Sequence, residues 1–131
     1  MSTFTLHLQD ATQYEQMEHV TSFVGRDQTG QFGLQARHER MMTVLAFGLA
    51  WFRRESAPLE FLALPGGLLY FVDNALYVNT SHYLRGPDRA QLATALDAQL
   101  RQEEDSVREL KETLHQLERE FMRRILRMTR G

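Results

Sequence analysis

The chain has 131 residues, 43% of them hydrophobic and 24% charged, with a formal net charge of −2 and no cysteine. Those values suit one globular domain and exclude intrinsic disorder, a collagen-like repeat, a disulfide scaffold, thiolate metal sites and thiol nucleophiles. Near-neutral charge gives no global attraction to nucleic acid or to an anionic membrane. No apolar run approaches the ~18 residues of a membrane span, and no basic stretch precedes an apolar one at the N-terminus, so a cytoplasmic location is expected.

Two patterns share the chain, and they change over near residue 87. Gly25, Gly30, Gly33, Gly48, Gly66, Gly67 and Gly86 all precede Pro87, and the remaining glycine is Gly131. Before Pro87, short apolar runs alternate with period two. Phe4, Leu6 and Leu8 are expected inward, followed by Val20, Ser22 and Val24. Further runs are 45–52, 61–64, 68–72 and 76–78. Glycine and turn residues punctuate these runs every few positions, as many short strands require. Asp73-Asn74 is read as a two-residue hairpin turn, because both residues tolerate the left-handed conformation such turns demand. Pro65-Gly66-Gly67 is read as a strand-to-strand turn. Residues 1–86 are therefore expected to form an antiparallel β-sandwich, or a flattened barrel, of about ten short strands.

From 87 to 131 the pattern is helical, which makes the fold class α+β. Pro87 suits a first helical turn, and Leu92, Leu96 and Leu100 recur every four residues with Ala93, Ala95 and Ala98 between them. Five polar residues, 101–105, then interrupt the stripe. Ser106 with Glu109 has the form of a capping box, and Val107, Leu110, Leu114, Leu117 and Phe121 step 3-4-3-4, with Ile125 and Met128 continuing. A helical hairpin hinged at 102–106 is expected. The competing reading is one unbroken helix from residue 88, since no Gly or Pro interrupts it.

In order and spacing, Val20-Thr21-Ser22-Phe23-Val24-Gly25, Gly30-Gln31-Phe32-Gly33-Leu34, His38, Met41-Met42-Thr43-Val44-Leu45, Phe47-Gly48 and Leu64-Pro65-Gly66-Gly67-Leu68-Leu69-Tyr70-Phe71-Val72 resemble the epsilon subunit of F-type ATP synthases. The switch from strands to a helical C-terminal part completes the likeness. Glu104-Asp105-Ser106-Val107-Arg108 and Phe121-Met122-Arg123-Arg124-Ile125 resemble the alternate, sodium-translocating (N-type) branch. Two departures stand out. Ala36-Arg37 replaces the family's Pro-Gly before the loop histidine, and Gln31 replaces a glutamate.

The resemblance implies a non-catalytic rotor protein of the central stalk, peripheral to the membrane on the cytoplasmic side of the bacterial inner membrane. Residues 1–86 would dock on the gamma subunit and rest on the proteolipid ring, coupling ring rotation to the stalk. Gln31 and His38 match loops near the ring and are the candidate contacts. Residues 87–131 would be a two-helix regulatory domain that can inhibit ATP hydrolysis by meeting the catalytic beta subunit. Arg123, Arg124, Arg127 and Arg130, four arginines without an acid between Phe121 and Gly131, are the candidate inhibitory contacts, because guanidinium groups pair bidentately with carboxylates. Cations also suit the last turns of a helix on dipole grounds alone.

Enzyme readings find no support. His7, His19, His38, His82 and His115 lack ligand spacing, no serine sits in a nucleophile elbow, and Pro65-Gly66-Gly67 lacks the Gly-Lys-Ser/Thr of a phosphate loop. Phe23, Phe32, Trp51, Phe52, Tyr70 and Phe71 read as core or docking surface. Some family members bind ATP through Ile/Leu-Asp-x-x-Arg-Ala. Here Arg89-Ala90 is present, but Arg85-Gly86 replaces the first pair, so neither nucleotide nor any cofactor or metal is expected. The alternative reading is a stand-alone adaptor presenting a coiled-coil arm, which would self-associate through the 107–128 seam.

Overall fold

The computed structural model describes residues 2–130; Met1, Gly131 and the side chain of Arg130 lie outside the described residues. Nine strands precede one helix. They are β1 Phe4–Gln9, β2 Tyr14–Asp27, β3 Gly30–Gln35, β4 Met41–Leu45, β5 Gly48–Arg54, β6 Glu60–Leu64, β7 Gly67–Val72, β8 Ala75–Asn79 and β9 Leu84–Gly86, followed by α1 Arg89–Arg130.

The strands pair in the order β4-β7-β8-β1-β2-β5-β6-β9, with β3 also on β2. β2 belongs to both layers of the sandwich: its first half pairs with β1, and its second half lies between β3 and β5. Nine strands thus occupy the ten places expected. The pairing is antiparallel except between β1 and β8, where Thr5 faces Ala75 and Gln9 faces Asn79 in parallel. That pair corrects the all-antiparallel expectation. Parallel neighbours need a long crossover, and the whole of β2 to β7 supplies it.

The change of layer happens at two bulges in β2. Phe4 and Leu6 face Val20 and Met17, so one residue is extra, and Val20 and Ser22 face Arg54 and Arg53, so another is. His19, within the first of them, has φ of 62°. Each bulge reverses which side chains point inward and bends the strand. The buried positions are therefore Met17, Val20 and Phe23. Of Val20, Ser22 and Val24, the set that the alternation points inward, only Val20 is buried; Ser22 and Val24 are half-buried, and Phe23 between them turns into the core instead.

Between the layers, Leu6, Leu8, Leu69, Phe71, Leu76 and Val78 meet Phe23, Leu34, Phe52, Leu62 and Leu64 in one core. Phe4, Leu6 and Leu8 are buried as read from their alternation. Asp73 and Asn74, with φ of 50° and 57°, form the expected β7–β8 turn with both residues left-handed. Pro65 and Gly66 instead carry the chain from β6 to β7, which are not neighbours. A Cβ on Gly67 would meet the Asn79 carbonyl at 2.5 Å, so this turn admits no side chain there.

Where the chain leaves the sandwich, buried Asp10 organises the loop after β1. Its carboxylate accepts from the Thr12 and Gln13 amides at 2.8 and 2.9 Å, from Gln13 Nε2 at 3.0 Å and from the Tyr83 amide at 3.2 Å. Burial alone would raise its pKa; the donated hydrogen bonds outweigh it and hold the carboxyl far below the usual range. Nearby, Tyr83 donates its hydroxyl to Glu15 at 2.7 Å, and Arg85 pairs with Glu15 and, at 3.0 Å, with Glu60. Burial and the bond to Glu15 push the Tyr83 hydroxyl well above its ordinary pKa.

The helix starts slightly later than Pro87 suggests. Asp88 is its cap, accepting from the Gln91 amide at 3.2 Å. The hinge expected at 102–106 is not present: α1 runs unbroken through it, and in place of the hairpin is a single helix of 42 residues. Gln102, Glu103 and Glu104 are good helix formers, and Ser106 has regular helix on both sides, so it caps nothing. Polarity at 101–105 removes an apolar anchor without removing helical hydrogen bonds. Residues up to Leu96 belong to the compact unit of the sandwich, and residues from Asp97 onward form a second unit.

Candidate docking surfaces

The two outer faces of the sandwich are finished differently. On the β5-β6-β9 layer, Leu49, Phe61, Ala63 and Leu84 are packed by Leu92 and Leu96 of the first turns of α1. Burying each leucine contributes roughly 1.5–3 kcal/mol relative to exposure. The stripe at 92 and 96 is therefore accounted for within this chain.

On the other layer, nothing described covers the outer face of β4, β7, β8 and β1. Met42 and Val44 on the edge strand β4 are 68% and 67% exposed. They sit directly opposite Tyr70 and Leu68 of β7, and Tyr70 is opposite Tyr77 of β8, itself opposite His7 of β1. Tyr70 and Tyr77 stack at 4.6 Å, and Tyr77 and His7 at 4.5 Å. His7 Nδ1 bonds the Tyr14 hydroxyl. The result is a cross-strand row, Met42-Tyr70-Tyr77-His7, with Val44 and Leu68 beside it. A surface of this kind suits a protein partner, since exposed, contiguous apolar and aromatic side chains mark interaction sites.

The two loop residues singled out in the sequence lie at opposite ends of β3. Gln31 pairs with Arg26 next to the Asp27–Gly30 turn, whereas His38 follows the far end of the strand. The four residues of rise from Gln31 to Gln35 already span about 13 Å, so the fold does not bring the pair together. Gln31, exposed, lines a cleft of about 240 Å³ with Arg26, Phe47, Trp51 and Arg89. Asp27 braces this turn. It accepts from Thr29, and from Thr43 of β4 at 2.7 Å, and these bonds lower its pKa.

His38 is also exposed. Its ring meets Phe71 edge-on at a centroid distance of 5.9 Å, and its Nδ1 lies 2.7 Å from the Glu39 carbonyl. Asn74 pins this loop by accepting from the Arg37 amide at 2.8 Å and donating to the Thr3 carbonyl at 2.9 Å. Arg37 has φ of 66°. The departure Ala36-Arg37 thus leaves a left-handed residue where the family has glycine, and Asn74 compensates.

In the second unit, Arg123, Arg124 and Arg127 are exposed and pair with no carboxylate among the described residues; Arg130 carries its side chain outside them. Large apolar side chains share their helix: Leu110, Leu114, Leu117 and Phe121 are 60%, 51%, 56% and 64% exposed. Sequence reading missed the aromatic row as a unit. A signal for it existed: β7 reads Leu-Leu-Tyr-Phe-Val, apolar on both faces, which a strand with one solvated face does not need.

Comparison with known proteins places this geometry. Residues 4–86 match the family described as ATP synthase, Delta/Epsilon chain, beta-sandwich domain. The ATP synthase epsilon chain 2 of Cereibacter sphaeroides is 34% identical over 83 residues, covering 63% of this chain and 57% of that protein. The chain thus matches little more than half the length of that relative. Among solved structures, a chain of the Euglena gracilis mitochondrial ATP synthase aligns with a TM-score of 0.61 at 23% identity. That alignment covers 75% of this chain and 64% of that one. A chain of the Tetrahymena thermophila mitochondrial ATP synthase central stalk and c-ring aligns at 0.54 and 12%, covering 64% and 69%. These two likenesses concern the fold. With the family match spanning the whole sandwich, the chain belongs to the delta/epsilon chain family of ATP synthase, as an epsilon subunit.

Proposed function

We propose that this chain is the non-catalytic central-stalk subunit of a rotary F-type ATP synthase, of the N-type branch, peripheral to the cytoplasmic side of the bacterial inner membrane. It couples rotation of the proteolipid ring to the gamma subunit. The observation that carries the reading is the unequal finish of the sandwich. One outer face is sealed by the chain's own Leu92 and Leu96, while the other presents Met42, Val44, Leu68, Tyr70 and Tyr77 without cover. In this reading gamma covers that face, and the loop ends bearing Gln31 and His38 rest on the ring. A close-packed sandwich suits torque because dense interiors transmit strain and do not absorb it.

The second unit, from Asp97 onward, carries the regulatory role. Its arginines, Arg123, Arg124, Arg127 and Arg130, pair with carboxylates of the catalytic beta subunit and restrain ATP hydrolysis. Each exposed pair is worth about 1 kcal/mol or less, and several together shift an equilibrium roughly tenfold.

The test is co-purification from membranes followed by hydrolysis assays. Met42→Asp with Val44→Asp puts two charges on the open face while leaving the core intact. Gamma and ring subunits should copurify with the unmodified chain and be lost with the double variant; undiminished recovery defeats this placement of gamma. Replacing the four arginines by alanine should leave assembly intact and raise ATP hydrolysis in low salt. An unchanged rate reduces them to helix-end cations. Recovery of the chain without any ATP synthase subunit would favour the adaptor reading.

A further inference from the structure

We propose that the free chain pairs with a second copy of itself through the second unit, the two helices running antiparallel with Leu114 of one copy facing Leu117 of the other. This inference concerns the unassembled chain and does not rest on the stalk reading.

Along a helix that is regular throughout, Val107, Leu110, Leu114, Leu117 and Phe121 step 3-4-3-4, and they are 51–64% exposed. A spacing that averages 3.5 residues is the one that keeps an apolar stripe facing another helix over several turns. Both orientations of a second copy satisfy the apolar positions. Charge separates them.

In the heptad that places Leu114 and Phe121 at a, and Leu110 and Leu117 at d, position 124 is also a d position and so is 103. Parallel pairing would set Arg124 against Arg124 and Glu103 against Glu103 in the seam. It would also bring the arginine-rich ends, 123–127, together. Antiparallel pairing about Leu114–Leu117 has the opposite result. It stacks Leu110 on Phe121, Leu114 on Leu117 and Val107 on the aliphatic stem of Arg124. On the flanks it sets Lys111 of each copy beside Glu118 of the other, twice over by symmetry, and in the seam it places Glu103 of each copy one layer from Arg124 of the other. All these ionic groups are exposed. Glu118 lies 3.8 Å from His115 on its own helix, and Lys111 and Arg124 have no ion pair among the described residues. Opposite charges flanking the seam set partner orientation in helical pairs.

The absence of cysteine from the sequence makes the register directly measurable. In sedimentation at low salt, the full chain should run at twice its 15.3 kDa mass at micromolar concentration and dissociate as salt rises. A monomer at every concentration overturns the proposal. When Leu114→Cys and Leu117→Cys chains are mixed and oxidised, the mixed 114–117 disulfide should dominate. Leu114→Cys chains that link efficiently to one another mean a parallel pair and overturn the orientation. Lys111→Glu should weaken association severalfold, as should Glu118→Lys, and an equal mixture of the two should restore it. Failure of the mixture to associate overturns the register. Circular dichroism of each variant verifies the helix. A dimer that survives Leu114→Glu with Leu117→Glu is held elsewhere, which also overturns the proposal.

Discussion

Leu62 and Leu114 carry the same side chain to opposite fates. Leu62 is 0% exposed, between two sheet layers, while Leu114 is 51% exposed on a helix whose apolar stripe has nothing of its own unit against it. The sandwich buries its apolar surface by folding on itself. The second unit leaves its stripe for a surface that lies outside that unit. A strand buries alternate residues as soon as two sheets face each other, whereas a lone helix has only one stripe and needs a second body to cover it.

That difference should appear most strongly in equilibrium unfolding. Leu62→Ala is expected to cost about 2–5 kcal/mol, because it removes buried methyl groups and leaves a cavity. A cost under about 1 kcal/mol would mean that the two layers repack freely and that the sandwich lacks the rigidity its packing implies.

Next comes Gly67→Ala. Its Cβ would lie 2.5 Å from the Asn79 carbonyl in a turn where φ is +155°, so a loss of about 1–3 kcal/mol is expected from strain. Measured stability equal to the unmodified protein would mean that the β6–β7 turn relaxes, and that sandwich and helix differ less in rigidity than their packing indicates.

A smaller effect is expected at Asp10 and depends on pH. Its folded pKa is depressed, so its contribution is fully present above the ordinary carboxyl pKa of about 4 and is lost as pH falls below that value toward the folded one. Asp10→Asn should lower Tm at neutral pH and flatten the fall of Tm between about pH 4 and about pH 2. An acid limb identical to that of the unmodified chain would assign the acid sensitivity to other carboxylates.

The smallest effect is expected for Leu114→Ala in dilute protein. Sandwich unfolding should move by under about 0.5 kcal/mol, since an exposed substitution away from any packed feature changes little. A larger shift at the lowest concentrations would show that the second unit supports the sandwich, and would erase the contrast.

Much of this architecture was legible in the residues. The alternation of Phe4, Leu6 and Leu8, the Asp73-Asn74 turn, the end of strand structure by Gly86 and the helical grammar beyond it all depend on local chemistry, either side-chain period or backbone tolerance of positive φ. The family likeness rested on the same local features, and the match over residues 4–86 agrees with it. The inward face of β2 was not legible, because two bulges around His19 twice reverse the alternation, and a bulge is a response to where the neighbouring strands lie. The parallel β1–β8 pair likewise follows from the path of the six strands between them and from no property of either strand.

The sequence by itself determined which segments extend and which coil, where the turns at 65–66 and 73–74 of the sandwich fall, and that a 3-4 seam exists on the C-terminal helix, since each of these depends on residues within a few positions of one another. Tertiary structure alone decided which faces are closed. Tyr70 and Phe71 are adjacent aromatics, yet Phe71 is buried between the layers and Tyr70 stacks on Tyr77 in an open row. Gln31 and His38, seven positions apart, were separated to opposite ends of a strand. Polar residues 101–105 stayed helical because a helix needs only its own backbone bonds, and a turn there would require contacts from elsewhere to replace the bonds it breaks.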